Sequence, residues 1–228
     1  MKKTTFVALL LLSGHCVADT LDNALQSIES EWAAIYYKTP KAQQGKAFQQ
    51  LLNKTAALEK QHPNAAEPLF WEAVIKATYA DHESAISALS LVKEAKDLLQ
   101  KAISINPRTM DGSAYVTLGT LYYMVPKWPI AFGDEAKAKS LLETALKINP
   151  KGIDSNYYYG EFLLTLDRPN EAKKYFENAA NAPTRPEQIF ADNQLKAEAQ
   201  KALDNIKQAA SNADNNVFAS FSQAENVR

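Results

Sequence analysis

The stretch "YVTLGTLYYMVPKWPIAFGDEAKAKSLLETALKINP", residues 115–150, decides the fold of this chain. Its last ten residues, "LLETALKINP", nearly repeat the phrase "LLQKAISINP", which ends 43 residues earlier at Pro107. Both phrases place apolar residues and alanine three and four positions apart, and both stop at Asn-Pro, as the final turns of a helix do. The sequence therefore predicts helical units that repeat along the chain.

These units resemble the tetratricopeptide repeat (TPR), in which each unit is a pair of antiparallel helices. The matching positions of the first unit are Tyr115, Leu118, Gly119, Tyr122, Ala138, Leu142, Ala145 and Pro150. Those of the second unit are Tyr159, Gly160, Leu163, Ala172, Phe176 and Ala179. Glycine or alanine stands where paired helices must approach closely. We expect an all-α, TPR-like solenoid of about four helix pairs with inserted loops and a C-terminal capping helix.

The N-terminus has the order of a secretory signal peptide: two lysines, an apolar run and then small residues. The apolar run is too short to span a bilayer, and cleavage is predicted after Ala18. An alternative is a lipoprotein acylated at Cys16, although His15 stands where such signals need a small residue. We therefore expect a signal peptide at 1–18, a helical domain at 19–210 and a flexible tail at 211–228, with export to the periplasm.

Composition and charge argue against several classes of function. The chain is 46% apolar, and without the two N-terminal lysines it would hold 23 basic against 26 acidic residues, a formal charge of −3. No segment concentrates lysine and arginine, so nucleic-acid binding is not expected. There is no phosphate-binding glycine loop, and His62 and His82 have no partners at metal-ligand spacing. The sequence predicts a binding protein with no catalytic residue, metal or cofactor.

The turn between the two helices of a unit is lengthened twice. In the first unit described above it is seven residues longer than in the second, and the surplus is the loop "VPKWPIAFGD", residues 125–134. An earlier unit carries the longer connection "DHESAISALSLVKE", residues 81–94, at the same turn. Insertions that recur at one turn of a solenoid tend to build a binding face.

The loop from Val125 to Asp134 is aromatic and braced by two prolines, which restrict the backbone. We expect Gly133 to adopt a positive φ and Asp134 to cap the following helix. Two interpretations stay open for its aromatic side chains, Trp128 and Phe132. They cover the solenoid core as a lid, or they contact a ligand or partner.

The first helices of the units line the concave face of a TPR solenoid, and that face supplies the remaining candidate site residues. They are Phe70, Val74, Val116, Thr120, Tyr123, Tyr157 and Leu164, to which the loop adds Trp128 and Phe132. A surface of apolar and tyrosyl groups suits a hydrophobic or amphipathic ligand, or an apolar peptide, better than a charged organic acid. The alternative is that several of these side chains only pack against neighbouring units.

The phrases "VPKWPIAFGD", "INPKGID", "NYYYGEFLL" and "RPEQIFAD" follow one another in an order that resembles the TatT family. These are the TPR-containing T components associated with TRAP (tripartite ATP-independent periplasmic) transporters. The resemblance covers residues 114–192; Lys127 replaces the usual loop glycine, and many relatives look like lipoproteins. It implies an accessory protein of solute uptake that works beside a periplasmic solute-binding P component.

The repeats alone support a broader alternative, a periplasmic scaffold or chaperone-like adaptor that holds peptide segments of envelope proteins. The sequence leaves open which ligand or partner is bound and whether the chain forms a homo-oligomer.

Overall fold

Helices make up nearly all of the computed structural model, which describes the backbone of residues 14–225 and the side chains of residues 21–212. The α-helices of this part are α1 Gly14–Lys38, α2 Lys41–Gln61, α3 Ala66–Tyr79, α4 Ala85–Ile105, α5 Ser113–Met124, α6 Glu135–Ile148, α7 Ile153–Thr165, α8 Pro169–Asn181 and α9 Ile189–Glu225. Of the predicted signal peptide, residues 1–13 lie outside the described part and residues 14–18 begin α1.

The helices pack as four consecutive antiparallel pairs: α1 with α2, α3 with α4, α5 with α6, and α7 with α8. Helix α9 packs on α8 and α7 as the cap, and it also contacts α1. One apolar core runs through the pairs, with Phe48, Phe162 and Phe176 almost fully buried. The all-α, TPR-like solenoid predicted from the sequence is confirmed.

Small residues stand where the helices of a pair cross, as predicted. A Cβ atom at Gly119 would lie 2.8 Å from Leu142 Cγ, and one at Gly160 would lie 2.9 Å from Phe176 Cε1. Both distances are shorter than a carbon–carbon contact allows, so any side chain there would force the helices apart. These glycines explain how large apolar residues of α6 and α8 reach the core.

The connection predicted at residues 81–94 is mostly helix, which corrects the expectation of an inserted loop. Residues 80–82 form one 3₁₀ turn, and α4 begins at Ala85 after Ser84, whose hydroxyl accepts a hydrogen bond from the Ser87 N–H. The segment holds no glycine or proline, and its alanines and leucines favour helix. The insertion therefore lengthens α4, which has 21 residues against 14 in α6.

The predicted domain boundary at residue 210 does not coincide with a helix end. Helix α9 continues to Glu225, because residues 211–225 contain neither glycine nor proline to stop it. Residues 226–228 lie outside the described part. The flexibility of this tail stays a prediction.

Candidate functional site

Two inserted segments lie at the turn between the first and second helices of the second and third pairs. We call them the insertion edge: the first two turns of α4 (residues 85–91), Met124 and the loop 125–134. The loop lies against α4, where Lys96 Nζ is 5.4 Å from the centre of the Phe132 ring. The extra turns of α4 precede Lys96, so they lie at the same turn of their pair as the loop does in the next pair. The prediction that both insertions share one edge agrees with this arrangement.

Backbone hydrogen bonds hold the loop in a defined shape. The Gly133 N–H donates to the Pro126 carbonyl oxygen at 2.9 Å, and the Asp134 N–H donates to the Tyr122 carbonyl oxygen at 2.9 Å. The Asp134 carboxylate accepts from the Lys137 N–H at 2.9 Å, which confirms the predicted cap of α6. These hydrogen bonds explain why the loop has a defined conformation.

The reason for the glycine in the loop differs from the prediction. Gly133 does not have a positive φ, which among the glycines of the described residues belongs to Gly112. Instead a Cβ atom at Gly133 would lie 2.3 Å from the Val125 carbonyl oxygen. The two ends of the loop approach too closely for any side chain, so close packing and not backbone conformation selects glycine here.

The apolar side chains of the loop divide between the two interpretations. Phe132 is half-buried and packs edge-on against Tyr122, with ring centres 5.3 Å apart, so it covers the core. Trp128 is 85% exposed and Ile130 is 64% exposed. Met124 and Ile86, also on the insertion edge, are exposed as well. The edge therefore presents large apolar groups that do not serve the core.

The inner face of the solenoid holds only some of the predicted contact residues at its surface. Phe70 and Val116 are 5% and 2% exposed, so they belong to the core and not to an open face. The half-buried members are Val74, Thr120, Tyr123, Tyr157 and Leu164. The sequence placed Phe70 and Val116 on the open face because helix periodicity shows which side of a helix a residue occupies but not how deeply neighbouring helices bury it.

Other side chains join Tyr123 and Tyr157 on this face, and sequence reasoning did not select them. Together they form what we call the tyrosine–glutamate cluster: Tyr36 and Tyr37 of α1, Tyr123 of α5, Tyr157, Tyr158 and Glu161 of α7, and Glu198 of α9. The spacing of Tyr157 and Glu161, four residues apart, was the available signal on α7. The contributions of α1 and α9 depend on the contact between the two ends of the chain.

Burial and like charge shape the electrostatics of the cluster. Burial raises the pKa of the Glu161 carboxyl, and the neighbouring Glu198 raises it further. Burial also raises the pKa of Glu198, and the Tyr157 hydroxyl and Lys201 offset part of this effect. Burial raises the pKa of Tyr157 as well, with Glu161 and Glu198 adding to the rise. Burial in the cluster thus disfavours the charged forms of these groups.

A second buried polar group joins α1 to the segment that begins α9. The Arg185 guanidinium donates to the buried Asp192 carboxylate through Nη2 at 2.6 Å and through Nε at 3.2 Å. Glu29 of α1 faces the same arginine and is 6% exposed. Burial raises the pKa of Glu29 to about 7, with Arg185 and Gln188 opposing the rise. We call this contact the α1–α9 seam.

Residues 21–212 contain no group of three histidine, cysteine, aspartate or glutamate side chains placed to hold a metal ion. Every helix of the described residues is too short or too polar to cross a bilayer. His62 is the C-cap residue of α2, and the His82 ring lies 5.8 Å from that of Phe48.

Paired helices, small residues at their crossings and a capping helix define the class: a TPR solenoid. Among solved structures, the chain is similar to TTC0263, a thermophilic TPR protein of Thermus thermophilus, at 16% identity and a TM-score of 0.54; the match covers 82% of this chain and 93% of that one. A structure of MamA matches at 17% identity and a TM-score of 0.43, covering 75% and 92%. No protein-family model matches the sequence, and a search of curated proteins finds no match.

Proposed function

We propose that this chain is a non-enzymatic TPR module that docks a protein partner on its insertion edge. The observation that carries the proposal is Trp128, held 85% exposed on a loop that hydrogen bonds and packing keep in one shape. A rigid tryptophan supplies a large contact area at little cost in conformational entropy, and such residues dominate the energy of many interfaces. Ile130 and Met124 extend the apolar surface around it.

The partner we propose is the solute-binding P component of a TRAP transporter. The resemblance to TatT proteins supports this assignment, because the phrase "VPKWPIAFGD" that carries it includes the exposed Trp128. The predicted signal peptide would bring the chain to the compartment where P components work. A general envelope scaffold would use the same edge for other proteins, and the partner experiment separates the two.

The test is a binding titration between the purified chain and the P component of a TRAP transporter from the same organism. Replacing Trp128 by alanine should weaken binding by about 30-fold or more, the size of an interface hot spot. The matched control is Ile105→Ser, which removes an exposed apolar side chain from the far end of α4. Binding by the parent that W128A leaves unchanged would exclude the insertion edge. Absence of P-component binding, with W128A-sensitive binding to other envelope proteins, would favour the scaffold.

Export is tested separately by mass spectrometry of the chain purified from periplasm. The proposal expects a mature chain that begins at Asp19. A lipid adduct on Cys16 would replace this assignment by a membrane-anchored lipoprotein, and an uncleaved chain in the cytoplasm would exclude both.

A further inference from the structure

A small cavity lies at the α1–α9 seam, between one side of α1 and the segment that leads from α8 into α9. We call that segment the strap: residues 183–191, which include a 3₁₀ turn, Pro186–Gln188, and the first residues of α9. The cavity has a volume of about 190 Å³, so it fits a molecule of only a few heavy atoms. Its walls include Glu29, Ala34 and Lys38 of α1 and Glu187, Gln188 and Phe190 of the strap.

Specific contacts hold the strap against α1 and so give the cavity its shape. The Phe190 ring packs edge-on against Tyr37, with ring centres 5.9 Å apart, and Lys38 Nζ lies 3.9 Å from the centre of the same ring. Within the strap, the Arg185 backbone N–H donates to the buried Asp192 carboxylate at 2.7 Å. The aromatic contacts close one part of the cavity, and the bond to Asp192 fixes the turn that closes the other.

The wall of the cavity contains a buried carboxyl group with no cation of its own. Glu29 is 6% exposed and forms no salt bridge with a side chain of residues 21–212. The facing guanidinium of Arg185 is bound through two of its nitrogen atoms to Asp192. Lys38 follows Glu29 by nine residues, about 14 Å along the helix axis. A buried carboxylate is stable only with a matching positive charge, so this cavity favours a ligand that brings one.

The charged groups around Glu29 come from the strap and the start of α9. Burial raises the pKa of Glu29 to about 7; Arg185 and Gln188 act in the opposite direction, and Asp192 and Glu187 add to the rise. An anionic ligand would therefore meet the carboxylates of Glu29 and Glu187 in the cavity wall. The methyl group of Ala34 and the Phe190 ring supply apolar contacts beside them. The walls suit a molecule with one positive head and a short apolar body.

We propose that the cavity at the α1–α9 seam binds a small primary ammonium compound, whose N–H groups donate to the Glu29 carboxylate and whose apolar body contacts Ala34 and Phe190. The site belongs to α1 and the strap, whereas the insertion edge belongs to α4, Met124 and the loop 125–134, so this binding does not depend on the partner proposed above. The ligand needs Glu29 in its ionised form. Binding therefore displaces a proton from Glu29 and becomes tighter as the pH rises through 7.

The test is isothermal titration of the purified chain with n-butylammonium chloride and with 1-butanol, a neutral molecule of similar size. The alcohol should bind at least about 10-fold more weakly, because it offers no charge to Glu29. Glu29→Gln keeps the shape of the side chain and should weaken n-butylammonium binding by about 10-fold or more. The matched control is Glu31→Gln, the same substitution on α1 at a glutamate that pairs with Lys54, and it should leave binding unchanged.

Two further measurements locate the site and check its chemistry. Binding to the parent chain should tighten by about 10-fold or more from pH about 5.5 to about 8, and this dependence should disappear in E29Q. Ala34→Leu fills the cavity without changing its charges and should abolish binding in a chain that thermal denaturation shows to be folded.

Three outcomes would overturn the proposal. Equal binding of n-butylammonium and 1-butanol would leave a simple apolar cavity. Binding that persists in both E29Q and A34L would place the ammonium elsewhere on the chain. A folded parent chain that shows no binding at about 100 mM n-butylammonium and pH about 8 would show that the seam holds no such site.

Discussion

Glu29 should make the stability of this protein fall as the pH rises through the weakly acidic range. The carboxyl is buried at the α1–α9 seam, where the facing cation, Arg185, already serves Asp192. Its pKa in the folded chain is about 7, against 4.5 for the group when exposed. A raised pKa means that the folded state holds the proton more tightly, so the stabilisation is complete below pH 4.5 and is lost as the pH rises through 7. The difference corresponds to about 3 kcal/mol.

The assay is urea denaturation followed by circular dichroism at a series of pH values from about 4.5 to about 8. The parent chain should lose about 3 kcal/mol of unfolding free energy over this range relative to Glu29→Gln, which cannot ionise. Comparing the two cancels the contributions of the other carboxyl groups. Glu31→Gln, on the exposed side of α1, should follow the parent. Parallel profiles for the parent and E29Q would show that Glu29 titrates normally and that the description of the seam is incorrect.

Three further predictions concern the core and the loop. Phe176→Ala should lower the unfolding free energy by about 4 kcal/mol, because it empties a fully buried site between α7 and α8; thermal and urea denaturation measure the loss. Asp134→Ala should cost about 1 kcal/mol by removing the cap of α6, with Asp134→Asn retaining most of the stability. Gly133→Ala should force the loop ends apart and cost about 1–3 kcal/mol, and limited proteolysis should then cut near Trp128; an intact loop would contradict the close contact with the Val125 carbonyl oxygen.

The repeats and the helix crossings could be predicted from the sequence because their causes are local or periodic. Gly119 and Gly160 recur at equivalent places, and each touches a large residue of its own pair. Asp134 caps α6, which begins at the next residue, so a short stretch of sequence is enough to predict the cap. The lengthened α4 was missed because polar serines and a histidine suggest a loop, whereas the Ser84 cap and the alanines after it form helix.

The candidate site was predicted less well because its parts are far apart in sequence. Tyr37 and Glu198 lie near each other because α9 packs against α1. The periodicity within either helix does not reveal that contact. On sequence alone the charges of α9 point to solvent, which is the usual place for a glutamate on a capping helix. The sequence also could not show which aromatic side chain of the loop is buried; Phe132 packs on Tyr122, and Trp128 is exposed.

The seam and the tyrosine–glutamate cluster depend on the same packing of α1 against α9. Glu29 and Tyr37 are both residues of α1, and Asp192 and Glu198 both belong to α9, so each helix contributes to both features. A change that separates the two helices at the seam must also increase the distance between Tyr37 and Glu198. The packing of α1 on α9 therefore governs both the burial of Glu29 at the seam and the proximity of Tyr37 to Glu198.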